Sequence, residues 1–321
     1  MGLKDKEARS GAFSCRGKTL NCTSIWKLMK KKQTQNASYV PRWIIRIGKL
    51  IEKFSVKGAA AWMRFFFKRP PKRKLKPEER SWRDKAETHA LEVKSIGKKI
   101  KVYRWGNGGK KVLVIHGWGG HGTSLWKLIR RLVKEGYEVV SFDAPAHGQS
   151  PTRSTLMLEF IESIRAVDKA FGPFYAAVGH SMGGISALNA AGSHDFSPEK
   201  LVVVGIPDSI ERIFYEFAAA LGLSPEVAKI NIDYLEDIYG MNIHKISGSH
   251  NAAHLDIPVL IIHDKDDKEV PYTEAINIAK HLKKGELVLS EGLGHRRIIR
   301  DPAILKKILD FLKNGKDHGE K

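Results

Sequence analysis

Six short apolar runs recur along the last two-thirds of the chain, at 111–116, 137–142, 174–178, 201–206, 258–263 and 286–290. They are rich in Val, Ile and Leu and scarcely alternate, the pattern of strands covered on both faces. Between them lie longer stretches with apolar residues three and four apart, such as 185–191 and 302–312, which read as helices. Strand and helix in alternation predict an α/β domain, a mostly parallel sheet flanked by helices with its chemistry at the C-terminal strand ends. A hairpin-like pair, 91–95 and 99–105 turning at Gly97, precedes these runs, so 201–206 is the sixth strand. About fifty residues, 207–255, then intervene, with apolar faces at Ile213-Phe214, Phe217-Ala218 and 228–239. They predict a small helical cap inserted after the sixth strand, in a domain spanning 86–321.

The pattern upstream is different. Over 42–68 the basic residues Arg42, Arg46, Lys49, Lys53, Lys57, Arg64 and Lys68 keep helical spacing. Trp43, Ile44, Ile47, Leu50, Ile51, Phe54, Trp62, Phe65 and Phe66 occupy the rest of the surface, and Gly58 marks an expected bend. Such a helix lies in a lipid headgroup interface, or docks its apolar side on the globular domain; amphipathicity alone fits both. No run of about 18 uncharged apolar residues occurs, so a membrane span is not expected. Residues 70–77, with prolines at both ends, read as an extended charged linker. The extension is therefore 36–85, and 1–35 is expected to be a disordered leader. Met29 is itself a plausible start, which leaves open whether 1–28 belong to the natural protein.

Charge sharpens this division. The chain has 321 residues and a net charge of +20. Residues 1–85 carry 24 Lys and Arg against 6 Asp and Glu, a net of +18; residues 86–321 carry 31 against 29, a net of +2. The basic balance thus describes what the extension touches, not the substrate. An anionic membrane surface fits the aromatic interleaving over 42–68; nucleic acid fits poorly, because no nucleic-acid-binding module accompanies the charge. Cys15 and Cys22 both lie in the leader, so the domain suits a reducing compartment. With no secretory apolar core near the terminus, the expected location is cytoplasmic, peripheral at the inner face of the membrane.

Candidate chemistry centres on Gly179-His180-Ser181-Met182-Gly183-Gly184, between a strand-like and a helix-like stretch. Glycines two residues either side of a serine permit a turn tight enough to lift the hydroxyl above the sheet edge. A serine hydroxyl needs a base, and the base an orienting carboxylate. His295, in a glycine-punctuated loop after 286–290, is the best placed of the 13 histidines. The loop after 258–263 holds Asp264, Asp266 and Asp267; Asp208, after the sixth strand, is a further candidate. His116, His147 and His180 read as packing or hydrogen-bonding histidines. Gly117-Trp118-Gly119-Gly120 follows the strand 111–116, and the N–H groups of Trp118 and Met182 are the natural oxyanion donors. No metalloprotease His-Glu-x-x-His, phosphate-binding loop, dinucleotide-binding Gly-x-Gly-x-x-Gly or acyltransferase His-x-x-x-x-Asp occurs, so no cofactor or metal is expected.

These segments resemble the α/β-hydrolase-fold serine hydrolases, in the lipase/esterase and serine-aminopeptidase-like branch. The resemblance rests on 116–120, 143–150, 179–184, 264–271 and Gly294-His295, all in family order. It implies Ser181 as nucleophile, His295 as base and Asp267, at the family's offset from Val270-Pro271, as acid. Two positions depart from the family pattern: Asp264 stands where a glycine is usual, and Ala146 where a glycine is common. The implied activity is acyl transfer to water from a carboxylic ester with a medium-sized or lipid-like acyl group. Peptidase or thioesterase chemistry uses the same groups, and a non-catalytic membrane-associated binding protein is the reading of another class.

Overall fold

In the computed structural model the described residues are 40–313, together with two three-residue strands, Phe13–Cys15 and Lys18–Leu20, paired antiparallel. The remainder of the expected leader lies outside the described residues. The chain divides into two compact units, one of residues up to Phe67 together with Glu211–Met241, the other of Lys68–Ile210 with the chain from Asn242 onward.

The second unit is built on an eight-stranded sheet: β1 (Glu87–Val93), β2 (Lys98–Trp105), β3 (Lys111–Ile115), β4 (Glu138–Asp143), β5 (Ala176–His180), β6 (Lys200–Val204), β7 (Val259–Asp264) and β8 (Gly285–Ser290). Their spatial order is β8-β7-β6-β5-β3-β4-β2-β1. The β1–β2 and β2–β4 pairs are antiparallel and every other pair is parallel. The central strands β3, β5, β6 and β7 are almost wholly buried, as their unalternating Val and Ile require. Leu128, Ile129 and Leu132 of α4 (Trp126–Lys134) and five apolar residues of α12 (Pro302–Lys313) pack with Val112, Val114, Val202 and Ile262 in one core. Helix α6 (Met182–Gly192), built mostly of small and apolar residues, is buried from Gly183 onward, so the turn that feeds it is fixed by packing.

Residues 68–85 belong to this unit and are no free linker. A helix, α3 (Pro77–Asp84), ends the segment, started by proline at its first position and by Glu79, whose carboxylate accepts the N–H of Lys76 at 2.9 Å. The Glu79 side chain is fully buried and forms a bidentate pair with Arg73 at 2.9 and 3.0 Å.

The other unit contains α1 (Arg42–Phe54), α2 (Val56–Phe67), most of α7 (Ile210–Ala220) and α8 (Pro225–Tyr239). The chain breaks at Ser55, not at the expected Gly58: Ser55 is extended, and its hydroxyl accepts the N–H of Gly58 at 3.0 Å, starting a new helix. Ala59, Ala60 and Met63 of α2 are completely buried. Small residues there permit the approach of α8, where the Arg64 guanidinium lies 3.7 Å over the Tyr234 ring and donates to Asn231 Oδ1. Phe67 stacks on Phe214 of α7 at 4.3 Å. The second half of the predicted amphipathic segment is thus docked on the inserted helices.

Candidate active site

The turn between β5 and α6 explains its glycines. Ser181 has φ 52° and ψ −122°, a conformation that L residues hold only under packing constraint. A Cβ on Gly179 would lie 2.5 Å from Gly184 Cα, and one on Gly183 would lie 2.4 Å from the carbonyl oxygen of His116. Only glycine fits at either place, so strand, turn and helix pack tightly enough to hold Ser181 in its strained form. The serine N–H is anchored on the carbonyl of Val204 at the end of β6.

His295 opens the short helix α11 (Gly294–Arg297) after β8, and its Nε2 lies 3.0 Å from Ser181 Oγ. Its Nδ1 lies 2.7 Å from Asp267 Oδ2. With Nδ1 donating to the carboxylate, Nε2 is left to accept the serine proton, the tautomer general-base work requires. The other Asp267 oxygen accepts the N–H groups of Glu269 and Val270, both at 2.8 Å. Burial alone would raise the Asp267 carboxyl; the His263 and His295 hydrogen bonds, the nearby His295 charge and the Val270 N–H outweigh it and hold the group well below the usual carboxylate range. Gly205, with φ 62°, leaves room beside the pair: a Cβ there would lie 3.4 Å from His295 Nδ1.

The other aspartates have different work. Asp264, fully buried, accepts four hydrogen bonds: Gly294 N at 2.8 Å and Asp266 N at 3.0 Å on Oδ1, Ser290 Oγ at 2.7 Å and Leu293 N at 3.1 Å on Oδ2. It stands where a glycine is usual and fastens the loop that carries His295. Asp266 accepts Gly292 N at 2.7 Å. Asp208 is taken up by Ser249 N and Asn277 Nδ2, both at 2.6 Å. Of the four candidates, the structure brings Asp267 to the imidazole.

The loop Gly117–Gly120 closes over the serine: a Cβ on Gly117 would lie 3.1 Å from Ser181 Cβ. Gly119 N donates to His147 Nε2 at 3.0 Å and Gly120 N to the Gly117 carbonyl at 3.0 Å. Among the described residues no acceptor pairs with the N–H of Trp118 or of Met182. Both N–H groups are therefore uncommitted, and that of Met182 opens α6, where the helix dipole also favours negative charge.

Sequence reasoning missed His263, Arg73 and Glu269 among the groups around this arrangement, while it read His116, His147 and His180 as packing or hydrogen-bonding histidines. His263 Nε2 donates to the Val270 carbonyl at 3.0 Å and lies 3.3 Å from Asp267 Oδ2, bracing the acid from behind. His180 Nε2 donates to the carbonyl of His295 at 2.9 Å. Burial lowers His116, His147 and His180 to about 3, so all three are neutral partners at physiological pH. Arg73 reaches His121 Nε2 at 2.6 Å and Ser124 Oγ at 3.1 Å, tying the 68–76 segment to the turn that follows Gly120. Pro71 touches that same loop, 3.2 Å from where a Cβ on Gly119 would be. Ala146 holds φ 66°, a left-handed backbone that explains why glycine is common there. The Glu269 carboxylate, bound to Arg296 at 2.9 Å, lies 3.9 Å from His295 Nε2.

Comparison with known proteins agrees with this architecture. Residues 110–221 match the family model described as alpha/beta hydrolase fold, and residues 242–320 match a model described as TAP-like protein. The chain has the alpha/beta hydrolase fold. It is 27% identical over 272 residues to a non-heme chloroperoxidase of Streptomyces lividans, covering 68% of this chain and 98% of that one. It is 25% identical over 240 residues to a lysophosphatidylserine lipase of Danio rerio, covering 68% of this chain and 59% of that protein. Among solved structures, an esterase of Pyrococcus furiosus superposes with a TM-score of 0.58 at 20% identity, covering 76% of this chain and 98% of that one. A putative lipase of Acinetobacter baumannii gives 0.57 at 19%, covering 75% and 97%. Hydrolases of the alpha/beta fold, esterase- and lipase-type among them, are thus what this chain is similar to.

Proposed function

We propose that this chain is a serine hydrolase of carboxylic esters, esterase- or lipase-like, working through Ser181, His295 and Asp267. The observation that carries the reading is the unbroken row from Asp267 Oδ2 through His295 to Ser181 Oγ, with contacts of 2.7 and 3.0 Å. Ser181 Oγ attacks the ester carbonyl carbon while its proton passes to His295 Nε2. The carbonyl oxygen, now carrying the charge, is held by the N–H groups of Trp118 and Met182, each such donor being worth about 3–4 kcal/mol in the transition state. Collapse breaks the C–O bond, and the imidazolium returns the proton to the departing alcohol. Water then attacks the acyl-serine by the same route, giving the carboxylic acid and free Ser181. Asp267, kept ionised, stabilises the imidazolium in both halves.

A lipid-like acyl group is the substrate class we infer, supported by the lipase among the relatives and a membrane phospholipase A among the solved structures of similar fold. The inserted stretch 207–255 serves on this reading as a small cap. The basic helices over 42–68 bring the enzyme to an anionic membrane surface, at the cytoplasmic face. Among the described residues no helix is long and apolar enough to cross a membrane.

The test is a panel of aryl esters of increasing acyl length, with thioester and peptide amide arms, on wild type and Ser181→Ala. Ester turnover that peaks at medium or long acyl chains and vanishes in the variant is expected. Preference for the amide or thioester would move the activity to those classes, and turnover surviving Ser181→Ala would end the nucleophile assignment.

A further inference from the structure

Helix α1 carries two parallel rows. Trp43, Ile47, Leu50 and Phe54 follow one another at steps of four, three and four, and are 55, 39, 56 and 85% exposed. At 100° per residue all four fall within about 60° of arc, a single stripe along the helix. One residue earlier in each case stand Arg42, Arg46, Lys49 and Lys53, a row of cations beside the stripe. The opposite side is the packed one. Ile44 and Gly48 are buried, and a Cβ on Gly48 would lie 3.1 Å from the Trp62 ring of α2. Glu52, the sole acidic residue of 42–68, turns inward, its Oε1 accepting the N–H of Ser224 at 2.8 Å. Packing within this unit therefore uses one face of α1 and leaves outward a stripe of four large apolar side chains. Among the described residues no carboxylate pairs with Arg42, Arg46, Lys49, Lys53 or Lys57.

We infer that this stripe and its row of cations form the docking surface of the protein for an anionic phospholipid bilayer. The inference rests on the membrane reading above and narrows it from two helices to one face of α1. Exposed apolar side chains in a continuous stripe are costly in water and mark an interaction surface. The flanking row selects the occupant. Lying in the plane of a bilayer, α1 would sink Ile47, Leu50 and Phe54 into the acyl boundary with Trp43 at headgroup level. The cations, one residue round the helix, would reach the headgroup phosphates along their flexible stems. A second copy of the chain would set its cations against this row. Residues 1–39, with 9 Lys and Arg against 2 Asp and Glu, carry the same sign of charge. Anionic lipid is the partner complementary in both polarity and charge.

Co-sedimentation of the full chain with vesicles of phosphatidylglycerol and phosphatidylcholine, against vesicles of phosphatidylcholine alone, tests the inference. Wild type should sediment with the anionic vesicles, and less so as salt rises. The triple variant Ile47→Gln, Leu50→Gln, Phe54→Gln should bind them more weakly by a factor on the order of 100 or more, since three large apolar side chains no longer leave water on binding. The triple variant Arg42→Gln, Arg46→Gln, Lys53→Gln should lose the preference for anionic over neutral vesicles. Both should keep the wild-type melting temperature and hydrolyse a short water-soluble ester at the wild-type rate. Wild type binding no vesicle would overturn the inference together with the membrane reading. Stripe-variant binding as tight as wild type would overturn the inference alone. A lipid-free dimer dispersed by the stripe variant would assign the surface to a second copy, and a lowered melting temperature would assign it to an intramolecular contact. Sedimentation needs no turnover, so each outcome is independent of whether Ser181 is the nucleophile.

Discussion

The sheet unit and the helical unit treat their polar and apolar groups in opposite ways. In the sheet unit three carboxylates are buried against fixed partners: Asp267 against His295, Asp264 against the loop at Gly294, Glu79 against Arg73. On α1, four large apolar side chains are exposed, beside cations that pair with no carboxylate among the described residues. The first arrangement fixes a geometry, since satisfied buried carboxylates hold their neighbours in one place. The second fixes nothing by itself and is completed by whatever it meets. The overall charge of +20 averages the two and describes neither. Chemistry requiring positions held to a fraction of an ångström belongs to the first region, and adsorption to a fluid surface tolerates the second.

Breaking a fixed pair in the sheet unit should give the largest effects. Asp267→Asn should lower kcat by roughly 10⁴, because the imidazole loses the tautomer and the charge partner it needs. Asp208→Asn, whose wild-type carboxylate meets Ser249 and Asn277, should stay within a few-fold of wild type. Steady-state rates on one ester decide the pair, and a reversed ranking would place the acid at the end of β6. Asp264→Asn should come next. It leaves at least two of four donors without an acceptor and lets the His295 loop drift, lowering kcat by roughly 10² with KM little changed. Labelling by a phosphonate should slow in parallel. A melting temperature that falls while kcat holds would make Asp264 a stabilising group only.

The smallest effect is on stability against acid. Burial would raise the Glu79 carboxyl, but His121, Arg73 and the Lys76 N–H lower it from 4.5 to about 2. A carboxylate whose folded value is depressed contributes its full stability above the unfolded value, and loses it as pH falls toward the folded one. Glu79 should therefore add stability at neutral pH that is lost between pH 4.5 and about 2. Denaturant melts of wild type and Glu79→Gln as a function of pH should converge at the acid end. Curves that stay parallel would contradict the ion network at Arg73.

The sheet was legible because Val- and Ile-rich runs punctuated by glycine carry their own periodicity, and Ser181 because the glycines that a strained turn demands surround it in sequence. His295 and the Val270-Pro271 offset were equally local signals. What escaped was whatever depends on a distant partner. Residues 70–77 read as an extended charged linker because two of the groups that bind Arg73, His121 and Ser124, lie 48 and 51 residues away. A signal for α3 was present, proline followed two residues later by Glu79, but the density of charge masked it. Three neighbouring aspartates could not be assigned from spacing alone, since their roles are set by which donors of the β8–α11 loop each one meets. The break between α1 and α2 was attributed to Gly58 although Ser55, a helix-capping residue type, stood three positions before it. Amphipathicity over 42–68 could not say which part docks and which stays exposed, because small residues such as Ala59 and Ala60 on α2, and not the large ones, mark the packed seam.

The claim at the centre of the account is that Ser181 is a nucleophile activated by His295. Labelling with a fluorophosphonate, followed by mass spectrometry of the modified peptide, tests it most directly. The account predicts one adduct, on Ser181, formed rapidly in wild type and suppressed in His295→Ala while that variant remains folded. An adduct on another residue, or none in the folded wild-type protein, would contradict it.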